Sequence, residues 1–537
     1  MTLHITDFEP ISGTPVPDPF VLSESVRDQL VSVVGRENAS IDQAERDDYR
    51  DPYWFPEDRT YDSSLVVFPQ STEQVQDLVR IANANSVPVW ASSQGRNNGY
   101  GGPSAQVRGS VLISFRKMNR VLEIDTELAY AVVEPGVRWF DLYEELHARG
   151  DELLVSVPDI GWGSVIGNSL DNGVTFMPAG SDFSAQCGME VVLADGSLLR
   201  TGMGAQEDNG SWHTYKRGLG PVLDPLFMQS NYGIVTRMGI WLMKRPEAYS
   251  PFYLSIPRDH QLDQAIDIVR ELRQEGILRG VPNIQDMLTA GEVHFPEHRG
   301  KFPSFVAPTW SDEQLDELAD ETGIGRWGVR TALWSDPDTL DLHERRIRQA
   351  WSAIEGGEVT RLATYTAENW HTLESAGFMD RLSGGIPCRD FIDALPDFVG
   401  HVGFSPVVPL RGAEVAGVMR QVRSEVVERT GVNYFCAIFV TNDRSATVVT
   451  PVFYVRDDPA RVEAALDTAT HLLRLLGQQG YCEYRAHLSF MDLAQEQMGF
   501  GDHAYRRFAE KIKDAVDPRG ILSPGRHGIW PSSYRRR

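Results

Sequence analysis

From residue 401 onward the apolar pattern spells six elements in a fixed order. HVGFSPVVPL reads as a strand, AEVAGVMRQVRSEVVERTG as a helix, VNYFCAIFV and ATVVTPVFYV as two strands, ARVEAALDTATHLLRLLG as a helix and YCEYRAHLSF as a last strand. This is the split-βαβ, ferredoxin-like order, in which the first and last strands are antiparallel neighbours. His401 and the pair Tyr484 and Arg485 are therefore expected on one sheet. Neighbours on a regular strand face opposite sides. Tyr484 and Arg485 can then serve one point only if that strand ends or bulges there.

Upstream the organisation is different. LVVF is a buried strand, Ser71 opens a helix with Gln74 at the capping-box position, and Val75, Leu78, Val79 and Ala82 form its apolar face. VPVWASS follows as a second strand and runs into a glycine-rich loop, which is α/β organisation. MEVVLADGSLLRTG predicts a hairpin whose Asp195-Gly196 pair suits a type I′ turn. Near Ala248 the character changes, and from there to about residue 400 helices and loops alternate in no order that periodicity assigns. At 537 residues the chain exceeds the roughly 250–300 that one hydrophobic core supports, so two large domains or one interrupted domain are expected.

The formal net charge is −24. Such a balance repels phosphate backbones and anionic lipid headgroups, which argues against nucleic-acid and membrane-surface roles. Four scattered cysteines, without a C-x-x-C pair or a histidine at ligand spacing, argue against a metal site or a disulfide framework. The start MTLHITDFEP lacks the basic end and apolar run of a secretory signal, so a cytoplasmic location is expected.

Two glycine clusters stand out. Gln94-Gly95-Arg96-Asn97-Asn98-Gly99-Tyr100-Gly101-Gly102 follows a buried strand, and Pro158-Asp159-Ile160-Gly161-Trp162-Gly163-Ser164 leads to Gly167 and Asn168. Glycines let backbone N–H groups approach an anionic group closely, yet neither cluster is a G-x-G-x-x-G or a Walker loop. By composition they are ordinary long turns or the bed of a cofactor lying along backbone.

QGRNNGYGG, VEPGV, SVPDIGWGSVIGN, GMEVVLADGSLLRTGMGA, SNYGIVTRMGIWLMKRP, EYRAHLSFMD and AVDPRGILSPGRHGIWPS together resemble the vanillyl-alcohol oxidase family of flavoproteins, most closely its 4-alkylphenol branch. The resemblance runs from about residue 50 to residue 533 and weakens between about 290 and 395. It implies a mixed α+β chain: a vanillyl-alcohol oxidase/para-cresol methylhydroxylase-type FAD-binding domain at 1–247 and 480–537, with a ferredoxin-like antiparallel-sheet cap domain inserted at 248–479.

The resemblance also implies roles for residues. Gly95, Arg96, Asn97, Asn98, Gly99, Pro158, Gly163, Ser164, Asn168, Ile234 and Arg526 would hold FAD, and His401 would carry it through a covalent bond to the flavin 8α carbon. A histidine that assists this attachment in relatives lies near a DPY motif, where this chain reads Asp51-Pro52-Tyr53-Trp54 without one. Tyr100, Tyr484 and Arg485 would bind the phenolic oxygen, and Asp159 would stand near flavin N5. Asp171 and Glu483 would support them. A phenol has a pKa near that of tyrosine, about 10, so holding its anion at neutral pH needs hydroxyl donors and a permanent cation in a dry pocket.

The implied reaction is hydride transfer from the benzylic carbon to flavin N5, through a quinone methide, giving a vinylphenol or a benzylic alcohol. Dioxygen would reoxidise the flavin and yield hydrogen peroxide; a dehydrogenase would use a cytochrome or cupredoxin instead. A histidine at 401, where the dehydrogenases have a tyrosine link, points to the oxidase. Oxidation of hydroxy acids or sugars and a non-catalytic flavin- or phenol-binding role are the remaining readings, and a homo-oligomer is expected. Gly403, Ala437, Phe176 and Met177 imply an apolar pocket suited to alkyl rather than hydroxymethyl substituents.

Overall fold

The computed structural model describes residues 15, 17–53, 59–178, 184–298 and 300–535. Most of the N-terminal stretch read for a targeting signal, and Trp54 of the DPYW motif, lie outside them. Among the described residues the strands form four sheets.

The first sheet is parallel at its centre. Leu65–Val67 and Val89–Ser92 both flank Val111–Ser114 in parallel, and Ala39–Ser40 closes one edge. The crossover helix Thr72–Asn85 is capped by Ser71, which accepts the Gln74 N–H, and it buries Val75, Leu78, Val79 and Ala82 as its periodicity requires. The C-terminal segment returns to the free edge: Val89 donates to Ile521 O and Ser523 donates to Val89 O, both at 2.8 Å.

The second sheet is antiparallel, with Ile234–Trp241 between Tyr130–Val133 and Gln186–Val192. The expected hairpin joins Gln186–Val192 to Leu198–Arg200. Its turn is not type I′. Gly196 alone has a positive φ, of 78°, and its N–H closes on Leu193 O. That is a type I turn followed by a left-handed glycine, the commonest longer hairpin connection. The Asp195 carboxylate favours it by accepting the Ser197 N–H at 2.8 Å.

The largest sheet, of nine strands, carries two copies of one topology. In the second half, Ser445–Val455 lies between Val399–Phe404 and Ala437–Phe439. In the first half, Trp327–Ser335 lies between Ala248–Ile256 and Asn283–Asp286, and Val359–Arg361 pairs on the outside. The halves join where Asn283–Asp286 pairs with Ala437–Phe439. Thus the region without assignable order between 248 and 361 repeats strand-helix-strand-strand-helix-strand. Helices Leu262–Gln274, Pro337–Trp351, Gly412–Thr430 and Pro459–Gln478 cover one face and bury its largest apolar cluster.

The expected last strand, YCEYRAHLSF, is reduced to a single bridge between Glu483 and Pro406. The Ser405 N–H, which would continue the ladder to the Tyr484 carbonyl, goes to the Glu483 carboxylate. The Tyr484 carbonyl is instead taken by the Gln229 amide at 2.9 Å. The same proline divides HVGFSPVVPL into Val399–Phe404 and Val407–Pro409.

Candidate active site

A cavity runs from the first sheet to the uncovered face of the nine-stranded sheet. Gly95, Arg96, Asn97, Asn98, Pro158, Gly163, Ser164, Asn168, Ile234 and Arg526 line it, together with Tyr100, Asp159, His401, Tyr484 and Arg485. Gly99 touches it indirectly: its φ is +76°, and a Cβ there would lie 2.6 Å from His401 Nε2. Only glycine fits both that backbone conformation and that approach.

Absence of a regular strand at 484 lets both neighbours meet one partner. The Arg485 guanidinium carbon sits 4.1 Å from the Tyr100 ring centroid and 5.4 Å from that of Tyr484. Burial works against the Arg485 charge, but Tyr484, Tyr100 and Asp171 raise its pKa above the ordinary arginine value. Burial likewise pushes the Tyr484 hydroxyl well above 10, so it stays a donor, against the pull of Arg485. Tyr100 places its hydroxyl 3.3 Å from Ser405 Oγ.

Two carboxylates frame this cluster. Burial alone would raise Asp171, yet hydrogen bonding from His527 and the charges of Arg526 and Arg485 hold it well below the ordinary range. Arg526 approaches it to 3.2 Å and Arg485 to 3.8 Å. Asp159 is raised above its ordinary value by burial, with Arg485 opposing. A carboxyl so placed can hold or release a proton where Asp171 cannot.

Alternate residues of the nine-stranded sheet form the roof. His401 and Gly403 pair with Phe453 and Pro451, and all four line the cavity. Ala437 and Phe439 follow, then Gln285 and Asn283. The last two, with Thr289 and His294, add a polar end to the pocket expected to be apolar. They escaped the sequence reading because their strand sits in the segment whose order was unassignable; the polar-apolar-polar run Asn283-Ile284-Gln285 was the available signal. Met177 is a correction. It belongs to a separate cluster with Tyr249 and Trp334, while Phe176 alone reaches the cavity.

Residues 63–202 match the family model described as FAD binding domain. The chain is 31% identical over 505 residues to the 4-cresol dehydrogenase [hydroxylating] flavoprotein subunit of Pseudomonas putida, covering 93% of this chain and 94% of that one. It superposes on 4-ethylphenol oxidase from Gulosibacter chungangensis with a TM-score of 0.87 and 34% identity, over 96% of this chain and 100% of that one. A p-cresol methylhydroxylase structure gives a TM-score of 0.86 at 28% identity, over 95% and 98% of the two chains.

The chain belongs to the vanillyl-alcohol oxidase family, in its 4-alkylphenol branch.

It is accordingly an FAD-dependent oxidoreductase of that family, and its own residues fit the cofactor. His401 has a buried Nδ1 without a hydrogen-bond partner among the described residues. Burial lowers its pKa to about 4, partly offset by the Asp51 carboxylate, so the imidazole is neutral at ordinary pH. Tyr53 packs beside it, with ring centroids 4.8 Å apart and the planes tilted by 46°. Asp51, in the motif that lacks the family's assisting histidine, accepts from His487 Nε2 at 2.9 Å. His487 Nδ1 accepts the Ser489 N–H, which fixes the ring proton on Nε2. A histidine from the C-terminal EYRAH stretch thus stands beside the DPY motif, a pairing that chain order conceals.

Proposed function

We propose that the protein oxidises para-substituted phenols, binding the phenolate between Tyr100, Tyr484 and Arg485 and using dioxygen as the final electron acceptor. The observation that carries this reading is one buried guanidinium lying against two tyrosine rings in a cavity that also holds His401 and Asp159. Two hydroxyl donors and a permanent cation are the groups a phenolate needs, and charge-assisted hydrogen bonds of this kind are about twice as strong as neutral ones.

Bound FAD supplies the hydride acceptor, covalently held at His401, and the residues named above would hold its pyrophosphate and ribityl chain. Arg485 and the two hydroxyls stabilise the phenolate, whose electron density weakens the benzylic C–H bond and favours a quinone methide. Asp159, with its raised pKa, takes a proton from water attacking the benzylic carbon, giving a benzylic alcohol. Loss of a side-chain proton gives a vinylphenol instead. Asp171 stays charged and keeps Arg485 and Arg526 oriented.

Similarity to a 4-cresol dehydrogenase subunit favours a second reading, in which a protein electron acceptor replaces dioxygen. Anaerobic addition of 4-ethylphenol to the holoenzyme tests the core of both. Bleaching of the flavin is expected, followed on admitting air by one peroxide per phenol consumed. Bleaching with no peroxide, but rapid dye reduction, would establish the dehydrogenase. No bleaching would leave only a binding protein.

A further inference from the structure

The roof of the cavity ends in polar side chains, three atoms of which have no hydrogen-bond partner among the described residues. Strand Asn283–Asp286 alternates across the sheet: Ile284 enters the core under the helices, whereas Asn283 and Gln285 line the cavity. Asn283 is 2% and Gln285 7% exposed. Asn283 Oδ1 and Gln285 Oε1 have no hydrogen-bond partner among the described residues, and the same holds for Nδ1 of His294, which lines the same end. Thr289 beside them differs, since its hydroxyl donates to Asp286 and accepts from the Cys436 N–H. Buried amide oxygens without partners are costly and rare in native structures, and polar side chains of this kind converging on one cavity point to a ligand with matching hydrogen-bonding groups.

The distance suits a substituent longer than ethyl. Tyr100 packs against Gly403, where a Cβ would lie 3.0 Å from its Cζ. From the strand of Gly403 to that of Asn283 there are three strand spacings, about 14 Å. A phenol held by its oxygen at Tyr100 with a two-carbon substituent does not span that length. The stretch between is apolar, with Phe439 meeting Phe176 edge to face at 5.8 Å.

Resting on the phenol reading above, we propose that Asn283 and Gln285, with His294 beside them, form a polar subsite for the far end of the para substituent. The preferred substrates are then 4-substituted phenols whose side chain crosses an apolar waist and ends in a neutral hydrogen-bonding group, such as a hydroxyl or an amide. Neutrality follows from the charges nearby. Arg330, the register partner of Asn283, is ion-paired with Asp380. Burial lowers His294 to about 3, so its ring is uncharged at ordinary pH. A carboxylate or ammonium there would be desolvated without a counter-ion.

The test uses two phenols of equal heavy-atom count that lack a benzylic carbon and so report binding alone: 4-(2-hydroxyethoxy)phenol and 4-propoxyphenol. Their affinities for the FAD-loaded enzyme are measured by calorimetry, for the native chain and for Asn283→Leu and Gln285→Met. The native enzyme is expected to bind the hydroxyethoxy compound at least as tightly, and each variant to shift the ratio toward the propoxy compound by roughly tenfold. Because both ligands are measured on each protein, a partial folding defect cancels in the ratio. A native preference for propoxy of tenfold or more, or a ratio that neither variant moves, overturns the subsite while leaving the phenol reading intact. Failure of both compounds to bind, or undiminished binding to Tyr484→Phe and Arg485→Met, overturns both.

Discussion

Glu483 accepts the backbone N–H of Ser405 on both carboxylate oxygens, at 2.9 Å each, and so fixes the residue that meets the Tyr100 hydroxyl. Burial raises its pKa from 4.5 to about 8, against the Ser405 N–H and the Arg485 charge.

The sign of the resulting pH dependence is determined. Below the ordinary value of 4.5 the carboxyl is protonated in both folded and unfolded chains. Between that value and about 8 only the folded chain keeps the proton, so stability falls with rising pH, and above it the loss is complete. Glu483→Gln retains an acceptor for Ser405 and removes the titration. The variant is expected to gain on the native enzyme between pH 5 and 8.5 by an amount on the order of a few kcal/mol. Denaturant unfolding of both proteins at the two pH values measures it; parallel pH profiles would show that Glu483 titrates normally.

Asp171 holds the opposite sign. The His527 hydrogen bond and the charges of Arg526 and Arg485 surround it and keep it ionised. Its contribution to stability is present above the ordinary aspartate value of 3.8 and is lost as pH falls through the lower folded value. Asp171→Asn leaves two guanidinium groups without their shared counter-ion, and about 3 kcal/mol of stability at pH 7 is expected to go with it. Flavin retention should weaken together with phenol affinity, because Arg526 and Arg485 lose the same anchor. A variant that melts with the native protein and keeps both ligands would mean that solvent already screens this cluster.

His401 and Asp51 give a readout independent of turnover. Under the covalent reading, acid-precipitated native protein yields a yellow pellet and His401→Ala a colourless one. The Asp51–His487 pair, buried to 4% exposure on both sides, acts electrostatically on His401 and is the candidate for drawing a proton from it during attachment. Asp51→Asn is expected to slow covalent incorporation by roughly a hundredfold while FAD still binds. Mass spectrometry of the denatured chain after timed incubation with FAD measures the covalent fraction. An unchanged rate in the variant would assign the pair to packing alone.

How far the sequence exposes these features depends on what each residue faces. The ferredoxin-like unit after residue 401 is legible because its strands and helices keep their apolar periods. Its earlier twin is not, for two physical reasons. Asn283 and Gln285 turn polar groups toward the cavity where alternation expects apolar ones, and the strand Val359–Arg361 is only three residues long. Tyr100, Tyr484 and Arg485 stand out through motif resemblance rather than pattern, and their meeting depends on the ladder ending at Tyr484, where the Glu483 carboxylate and the Gln229 amide take its backbone partners, a local event that the stretch YCEYRAHLSF hides. The His487–Asp51 contact joins residues from opposite ends of the chain, and nothing local announces it.

Lys513 ties the C-terminal segment to the rest of the cofactor side, and its loss should be felt there. The ammonium is fully buried and bonded to Asp517 Oδ2 at 2.7 Å, to the Asn231 carbonyl at 2.6 Å and to the Leu522 carbonyl at 2.7 Å. Asp517 in turn accepts the N–H groups of Ile521 and Leu522, the residues that run beside Val89. Burial lowers the lysine to about 8, opposed by Asp517, so it remains charged at pH 7. Breaking a buried, fully bonded pair by removing one partner strands the other, at a cost of about 3–5 kcal/mol. Lys513→Met is therefore expected to lower the Tm of the holoenzyme and to expose the chain after Asp517 to protease. Replacing both partners, Lys513→Met with Asp517→Leu, removes the stranded charge and should recover part of the loss. A single variant as stable as the native enzyme would show that this knot contributes packing rather than charge pairing.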